Sequence, residues 1–365
     1  MKKSLLISLL IVVLATSANA TIRTVSNVAG SGSQFNTIQA AVDASADGDT
    51  LYISGSTTPY VSCNITDKFL TLIGPGWAPD KNLPLQAIIN SMVIRNTASA
   101  GSPGGTELQG LTFPFGGTAT LSEQNAGDLT YTSLRLIRCQ FDCPINFFKA
   151  ISDLLVEGCM FSKSITFFPS LSCPVNNALF QNNLFYGDSD ASIFNLRTNL
   201  SNVLFDHNLF YSANNLLAFR FCEFFNFTNN IFLGRNLGHS EDIANSTFTN
   251  NITFLCGTVG DSIWLRRGNT GAGNIASQNP QMANQASIQA GSYSGLLNFT
   301  IAAGPANNAG TDGKDLGLLF DPIGNLNWAN SRSSRLPRIF LMNLVNTTVA
   351  AGTNINIVVE AKKTN

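Results

Sequence analysis

Two histidines in a chain of 365 residues restrict where acid–base chemistry could occur. His207 directly follows Asp206 in the segment FDHN, and an adjacent carboxylate and imidazole are groups that general acid–base catalysis uses. Asp206 and His207 are therefore the candidate catalytic residues. His239 lies near Glu241 and Asp242 in NLGHSED, but such a polar segment is typical of a solvated loop.

Four basic residues follow a repeated polar position of the middle region, each near the end of an apolar segment. They are Lys149, Arg197, Arg220 and Arg266. If these segments are stacked strands, the four side chains would form an outward basic column. Such a column would suit a carboxylated or sulfated polysaccharide. The alternative is that they are solvated charges at strand ends, without a ligand.

Composition argues against several partners and cofactors. Only 12% of the residues are charged and the formal net charge is −1, so no nucleic-acid partner is expected. Because the chain has so few histidines, no histidine-based metal site is expected. Asp312 and Asp315 lie in a glycine-rich segment that is typical of turns, and a calcium site there is the alternative. No other cofactor is expected.

A repeat runs through the middle of the chain, from about residue 105 to 260. Its copies, such as ALFQNNLF, VLFDHNLF and FNFTNNIF, combine alternating apolar residues, a polar position, an aliphatic residue and usually Phe. The polar position is occupied in turn by Cys139, Cys159, Asn183, Asn208, Asn230 and Asn251. This period fits one turn of a solenoid with parallel strands. We therefore expect an internal row of Phe side chains and a row of Asn at a corner.

The candidate pair Asp206 and His207 falls inside this repeat. The equivalent dipeptides in other copies are Gln181-Asn182, Thr228-Asn229 and Thr249-Asn250. The pattern therefore supports a second interpretation, in which Asp206 and His207 are variants of a structural corner position and take no part in catalysis.

The first twenty residues indicate export. They combine Lys2 and Lys3 with an apolar run and the A-x-A sequence ending at Ala20, which is typical of a bacterial signal peptide cleaved near Ala20. No later apolar run is long enough to span a bilayer, so no membrane span is expected. Export would permit disulfides, but the cysteines number seven, which is odd. We expect them to be buried free thiols.

The segment FNTIQAAVDASADGDTLYISG, residues 35–55, joins an amphipathic helix to a strand. Phe35, Ile38, Ala41 and Val42 fall on one helical face. The open end of a solenoid exposes core and strand edges that must be covered. We therefore expect a capping helix over residues 35–46, ended by Gly48.

The repeat and both ends resemble the right-handed parallel β-helix proteins of the pectin-lyase-like superfamily. The helix before GD and a strand is similar to the N-terminal cap of many secreted members. Residues 279–317 resemble the closing segment of bacterial members, with Gly304 in place of the Ser that precedes Pro305. FDHN is similar to a pectate lyase strand, but the Gly-His-Gly and Arg-x-Lys of polygalacturonase-like hydrolases are missing from the sequence.

The sequence thus predicts an all-β fold, a right-handed parallel β-helix solenoid with an N-terminal capping helix and a C-terminal β tail. The expected segments are a signal peptide over 1–20, the β-helix over 21–322, a linker over 323–337 and a β-hairpin over 338–365. The resemblance implies a bacterial protein that is secreted, extracellular or at the cell surface, with the periplasm as an alternative. The expected function is that of a scaffold or carbohydrate-binding protein, with extracellular polysaccharide as partner. The alternative is a polysaccharide lyase or glycoside hydrolase that acts on acidic polysaccharide.

Overall fold

The protein, described here from a computed structural model, folds as a parallel β-solenoid of about eight turns. This confirms the predicted all-β, parallel β-helix fold. The structure describes residues 20–77, 85–97, 105–122, 131–167, 175–186, 191–195, 202–212, 217–237, 243–291, 297–320, 327–328, 338–344 and 357–362. Among the described helices, none is long and apolar enough to cross a membrane.

Sheet 1 is the longest of the three large parallel sheets and has twelve strands. Eleven of them form one row, in which each strand pairs with the strand of the next turn. In order, they are Ile22–Val25, Thr50–Ile53, Thr71–Ile73, Glu107–Gln109, Arg135–Ile137, Ile151–Glu157, Val175–Gln181, Val203–Asp206, Phe225–Thr228, Thr247–Thr249 and Thr270–Ala272. The twelfth, Tyr131–Thr132, pairs beside Ile151–Glu157.

Sheets 2 and 3 have seven strands each. Sheet 2 comprises Thr112–Phe113, Gln140–Phe141, Met160–Phe161, Leu184–Phe185, Leu209–Tyr211, Ile231–Leu233 and Ile252–Phe254. Sheet 3 comprises Cys63–Thr66, Ser91–Arg95, Thr118–Ser122, Ile145–Phe147, Ile165–Phe167, Ala191–Phe194 and Leu217–Arg220. Cys222–Glu223 and Ile243–Ala244 form a short parallel pair. Arg338–Leu344 and Ile357–Lys362 form an antiparallel hairpin within the predicted C-terminal tail.

The Phe residues of sheet 2 form a single internal row. Phe141, Phe161 and Phe185 are at most 1% exposed, and their ring centroids are 5.4 and 4.8 Å apart along the row. Phe210 lies 4.6 Å beyond Phe185, and Phe232 lies 5.0 Å beyond Phe210. The row that the repeat predicts is therefore confirmed, and each turn of the core is stacked on its two neighbours.

The polar corner position of the repeat forms a buried ladder between sheets 1 and 2. Asn183, Asn208 and Asn230 each donate from Nδ2 to Oδ1 of the Asn in the next turn, at 3.0, 2.9 and 2.9 Å; Asn251 accepts the last of these bonds. The same Oδ1 atoms accept the backbone N–H of the preceding Asn. All four side chains are fully buried. The predicted Asn row is confirmed, and it satisfies amide groups that would be costly to bury alone.

A short helix covers the N-terminal end, as predicted, but with different limits. Helix α1 spans Ile38–Ala44, and the Thr37 side chain accepts a hydrogen bond from a backbone N–H of its first turn at 3.2 Å. Its buried residues, Ile38, Ala41 and Val42, join the core. The helix ends at Ser45, whose backbone is extended, so Gly48 does not end it. Gly48 has a φ of +84° and forms the turn into the next strand of sheet 1.

Residues 257–265 close the other end of the core. They form helix α2, Gly257–Gly260, and a 3₁₀ helix, Ile263–Leu265. Trp264 is 8% exposed, and its ring centroid lies 6.3 Å from that of Phe248 in sheet 1. The described buried apolar residues of the segment 279–317, which resembles a closing segment, belong to a different hydrophobic cluster.

Residues 297–320, here called the C-terminal strap, lie against the outer face of sheet 2. Phe299 and Leu316 of the strap are buried in a second hydrophobic cluster with Leu209 and Ile231, whose side chains point outward from sheet 2. Helix α3, Gln285–Gln289, precedes the strap. The strap therefore gives the solenoid a second, lateral hydrophobic core.

Hydrogen bonds show that the strap runs back towards the N-terminal turns. The carbonyl of Ala309 accepts from Asn250 Nδ2 at 2.8 Å, and the N–H of Leu319 donates to Asn182 Oδ1 at 2.7 Å, several turns earlier. Beyond it, the rings of Trp328 and Trp77 are 4.7 Å apart. One long segment thus clamps several turns together.

The described cysteines are free and buried. They are Cys63, Cys139, Cys143, Cys159, Cys222 and Cys256. Burial raises the pKa of the Cys63 and Cys256 thiols to about 12, so both are protonated and weakly reactive. The prediction of buried thiols is confirmed for these six, and Cys173 lies outside the described residues.

Candidate functional site

The corner between sheets 1 and 2 positions Asp206 and His207. His207 has a backbone φ of 52°, in the left-handed region. The equivalent residues of three other turns, Asn182, Asn229 and Asn250, have φ values of 56°, 60° and 51°. Asn enters this region more readily than most residues, which explains its recurrence here. The backbone of His207 thus agrees with the interpretation that it occupies a structural corner position.

Asp206 is the hydrogen-bond centre of this corner. Its Oδ1 lies 2.9 Å from His207 Nδ1 and accepts from Asn229 Nδ2 at 3.0 Å, while its Oδ2 accepts from Gln181 Nε2 at 2.8 Å. Burial by itself acts to raise the pKa of Asp206, but His207 and the two amide donors outweigh it and hold the pKa below its ordinary value. Asp206 is therefore an ionised acceptor at neutral pH.

The C-terminal strap covers the corner and brings a second carboxylate to His207. Asp312 Oδ1 lies 3.6 Å from His207 Nε2, and the His207 side chain is 2% exposed. His207 Nε2 has no hydrogen-bond partner among the described residues. The N–H of Thr311 donates to Asn229 Oδ1 at 2.8 Å and fixes the strap beside the imidazole. The sequence did not connect Asp312 with His207 because the two are far apart in the chain.

An imidazole between two carboxylates can carry a proton between them. Neutral His207 can donate from Nδ1 to Asp206, and its Nε2 lone pair then faces Asp312; protonated His207 has an N–H towards each carboxylate. A substrate, however, could reach the imidazole only if the strap moved away. A catalytic role for Asp206 and His207 therefore stays a prediction.

Replacing Asp206 by Asn should make the protein less sensitive to acid. Because the folded pKa of Asp206 is low, its stabilising contribution is present above about pH 4 and is lost as the pH falls through the folded value. At about pH 7, Asp206→Asn should lower the free energy of unfolding by about 1–2 kcal/mol. Urea unfolding at neutral and acidic pH would measure this. Between the two pH values, the free energy of unfolding should fall less in the variant than in the unmodified protein. Asp153→Asn, at an exposed position of the strand Ile151–Glu157, is the control and should change neither value.

The three basic residues that the structure describes, Lys149, Arg220 and Arg266, do not lie in one column. In sheet 3 the position of Arg220 is occupied in earlier turns by Thr166 and Asn146, whereas Lys149 lies beyond the end of its strand. Arg266 follows the 3₁₀ helix, and its Nε donates to the Ser262 hydroxyl at 2.9 Å. These residues occupy non-equivalent positions because the repeats differ in length after the corner.

Two of the predicted positions lie outside the described residues. They are Arg197 of the basic column and His239 of the polar loop. Binding of polysaccharide by the four basic residues stays a prediction.

A cleft of about 330 Å³ opens on the N-terminal turns, where the sequence indicated no site. It lies between the loop at Ser31 and Ser33 and an outward row of sheet 1 in which Thr24, Tyr52 and Ile73 pair in register. Ser54 and Gly55 also contribute, and the described lining carries no charge. Its residues come from three successive turns and a loop, so no local sequence pattern marks the cleft.

A second cleft, of about 280 Å³, lies beside the strap and is lined in part by Lys314 and Asp315. The strap carboxylates stabilise local backbone turns, as predicted. Asp315 accepts a hydrogen bond from the N–H of Asn308 at 2.9 Å, and Asp312 accepts one from the N–H of Lys314 at 3.1 Å. Within the described residues, no group of three or more His, Cys, Asp or Glu side chains is arranged to hold a metal ion.

Comparison with known proteins leaves the fold as the main guide to function. No protein-family model matches the chain, and no curated protein matches it.

Proposed function

We propose that this chain is an exported β-helix protein of the pectin-lyase-like kind, a scaffold that binds carbohydrate in the cleft on its N-terminal turns. The leader-like residues 1–20 support export, and the ladders of the solenoid support a rigid scaffold. The location that follows is extracellular or at the surface of a bacterial cell. The observation that carries the binding role is the uncharged cleft beside Tyr52.

The chemistry of that cleft fits a neutral saccharide. Sugar hydroxyls both donate and accept hydrogen bonds, as do the hydroxyls of Thr24, Ser33 and Ser54 in the lining. Tyr52 is half-buried in sheet 1 and offers an aromatic body with a polar end. Because the described lining has no charged residue, a neutral glycan should be preferred to an acidic one.

Binding should be tested with the chain beginning at Thr21, on immobilised neutral and acidic polysaccharides. We expect retention on at least one neutral polysaccharide and a loss of about tenfold in affinity for Tyr52→Ala. Phe115→Ala is the matched control, because Phe115 is an aromatic residue that is 81% exposed outside the cleft. Equal retention of both variants, or retention on acidic polysaccharides alone, would contradict the proposed site.

The alternative function, a lyase or hydrolase of acidic polysaccharide, is favoured by one observation. His207 Nε2 lacks a described hydrogen-bond partner and faces Asp312, as a proton-transfer group awaiting a substrate would. The same incubations should be followed for new unsaturated ends and new reducing ends. His207→Asn is the informative variant, since Asn holds the equivalent corner in three other turns and should fold normally. Product formation that this variant abolishes would favour the enzyme, and product formation that it leaves unchanged would rule out catalysis by His207.

A further inference from the structure

Asp49 is a buried carboxylate at the junction between α1 and sheet 1. It is 1% exposed. Its Oδ2 accepts from Arg23 Nε at 3.1 Å and from the backbone N–H of Ala46 at 3.0 Å. Its Oδ1 accepts from the backbone nitrogen of Thr21 at 2.6 Å. The two oxygens therefore have different partners, and Oδ1 binds Thr21, the first residue after the predicted cleavage site.

Thr21 directly precedes the edge strand of sheet 1, Ile22–Val25. Its carbonyl accepts the N–H of Thr50 at 2.9 Å, and the strand Ile22–Val25 then pairs in parallel with Thr50–Ile53. The contact between Thr21 and Asp49 thus joins the outermost strand to the turn that follows α1. An edge strand is the part of a solenoid that frays first, so this contact stabilises an exposed end.

We propose that Asp49 is positioned to bind the α-ammonium group of Thr21 after cleavage of the Ala20–Thr21 bond, so that cleavage completes the N-terminal cap. In the cleavage, a peptidase adds water across the peptide bond, Ala20 leaves with the new carboxylate and the Thr21 nitrogen takes a proton to become an α-ammonium group. That nitrogen already lies at hydrogen-bond distance from Asp49 Oδ1. Processing would thus replace a neutral amide donor by a cation without moving the strand. The inference rests on the proposed export of the chain.

The Asp49 carboxylate favours this exchange, and the Arg23 guanidinium beside it opposes part of the gain. A hydrogen bond between two ionised groups is shorter and stronger than one from a neutral amide. Arg23 from the edge strand forms an ion pair with Asp49, and Lys68 Nζ donates to the carbonyls of Val42 and Asp43 at the end of α1. Asp47 accepts the N–H of Phe69. Burial acts to raise the pKa of Asp49, but its backbone and Arg23 partners outweigh it and hold the pKa below the ordinary value, so the acceptor is ionised.

Three forms of the chain would test the proposal. One begins at Thr21, one retains Ala20 behind a short tag remnant, and one begins at an N-acetylated Thr21 that keeps an N–H but has no charge. At about pH 6.5, where an α-amino group is protonated, the first should melt about 1–2 °C above the other two. A nearby carboxylate raises the folded pKa of an amine, so this advantage is fully present below the ordinary α-amino pKa of about 8, as long as Asp49 is ionised, and is lost as the pH rises through the raised folded value. Equal melting temperatures of the three forms at pH 6.5 would overturn the proposal.

A variant of the acceptor provides the matched control. Asp49→Asn keeps an acceptor oxygen but removes the charge, so the three forms should then melt together. If that variant does not fold, the comparison of free and acetylated Thr21 in the unmodified chain decides the question. All three forms are prepared by tag removal in vitro, so the result does not depend on export. Export is tested separately, by determining the N-terminal residue of the protein recovered from outside the cell.

Discussion

Replacing Phe205 by Ala is expected to lower the free energy of unfolding by about 3–5 kcal/mol. Phe205 is fully buried, and its ring is stacked between Phe180 at 4.5 Å and Phe227 at 5.2 Å, with Phe219 edge-on at 5.3 Å. Truncation removes the transfer free energy of the ring and leaves a cavity that rigid parallel turns on both sides cannot fill. Urea unfolding followed by circular dichroism would measure the change.

The control for this experiment is Phe115→Ala, which removes the same side chain from an exposed position. It should change the free energy of unfolding by less than about 0.5 kcal/mol. If the two variants lost similar amounts of unfolding free energy, the stack of Phe180, Phe205 and Phe227 in sheet 1 would not be a main source of stability between turns.

Replacing Asn208 by Ala should have a comparable effect, of about 3–5 kcal/mol, for a different reason. The Asn183 backbone N–H, which donates to Asn208 Oδ1 at 3.0 Å, and the Phe180 carbonyl, which accepts from Asn208 Nδ2 at 2.9 Å, would lose a buried partner. Each buried group left without a partner costs about 1–3 kcal/mol. The bond to Asn230 would be lost as well, so the ladder would be interrupted at its centre.

Two further variants separate the ladder from a general effect of losing an Asn. Asn226→Ala changes an exposed Asn in the next turn of sheet 1 and should be nearly neutral. Asn208→Cys should lower the free energy of unfolding less than Asn208→Ala does. Cys139 and Cys159 occupy the equivalent position in earlier turns, and the Cys159 sulfur accepts the Cys139 N–H at 3.4 Å. An Ala variant as stable as the Cys variant would show that hydrogen bonding along the ladder contributes little.

The repeat could be recognised in the sequence because its contacts are between nearest neighbours. Phe at one position and Asn at another recur at a nearly constant spacing, and parallel stacking places each above its copy. Alignment of the repeat copies was also sufficient to place His207 at the corner position from sequence alone. The exact end of α1 was missed, because the helix ends at Ser45, three residues before Gly48, at which the sequence predicted its end.

The strap was missed, although the sequence holds a signal for it. In the repeat, Leu184 precedes Phe185 and Leu209 precedes Phe210, so two successive residues of one strand are apolar. Side chains of successive strand residues point to opposite faces, and both faces of sheet 2 must therefore be covered. The pattern shows that something covers the outer face but does not say which segment does so.

The sequence by itself determined the solenoid, its stacked Phe and Asn rows and the helix at its first turn, because each depends on periodicity or on residues close together in the chain. Only the tertiary structure decided that the strap encloses His207 beside Asp312, and that Tyr52 lines a cleft. Both depend on contacts between distant segments, such as Thr311 with Asn229 and Leu319 with Asn182, whose separations of 82 and 137 residues follow no repeat. Such contacts are set by the shape and polarity of the finished surface, which no local pattern encodes.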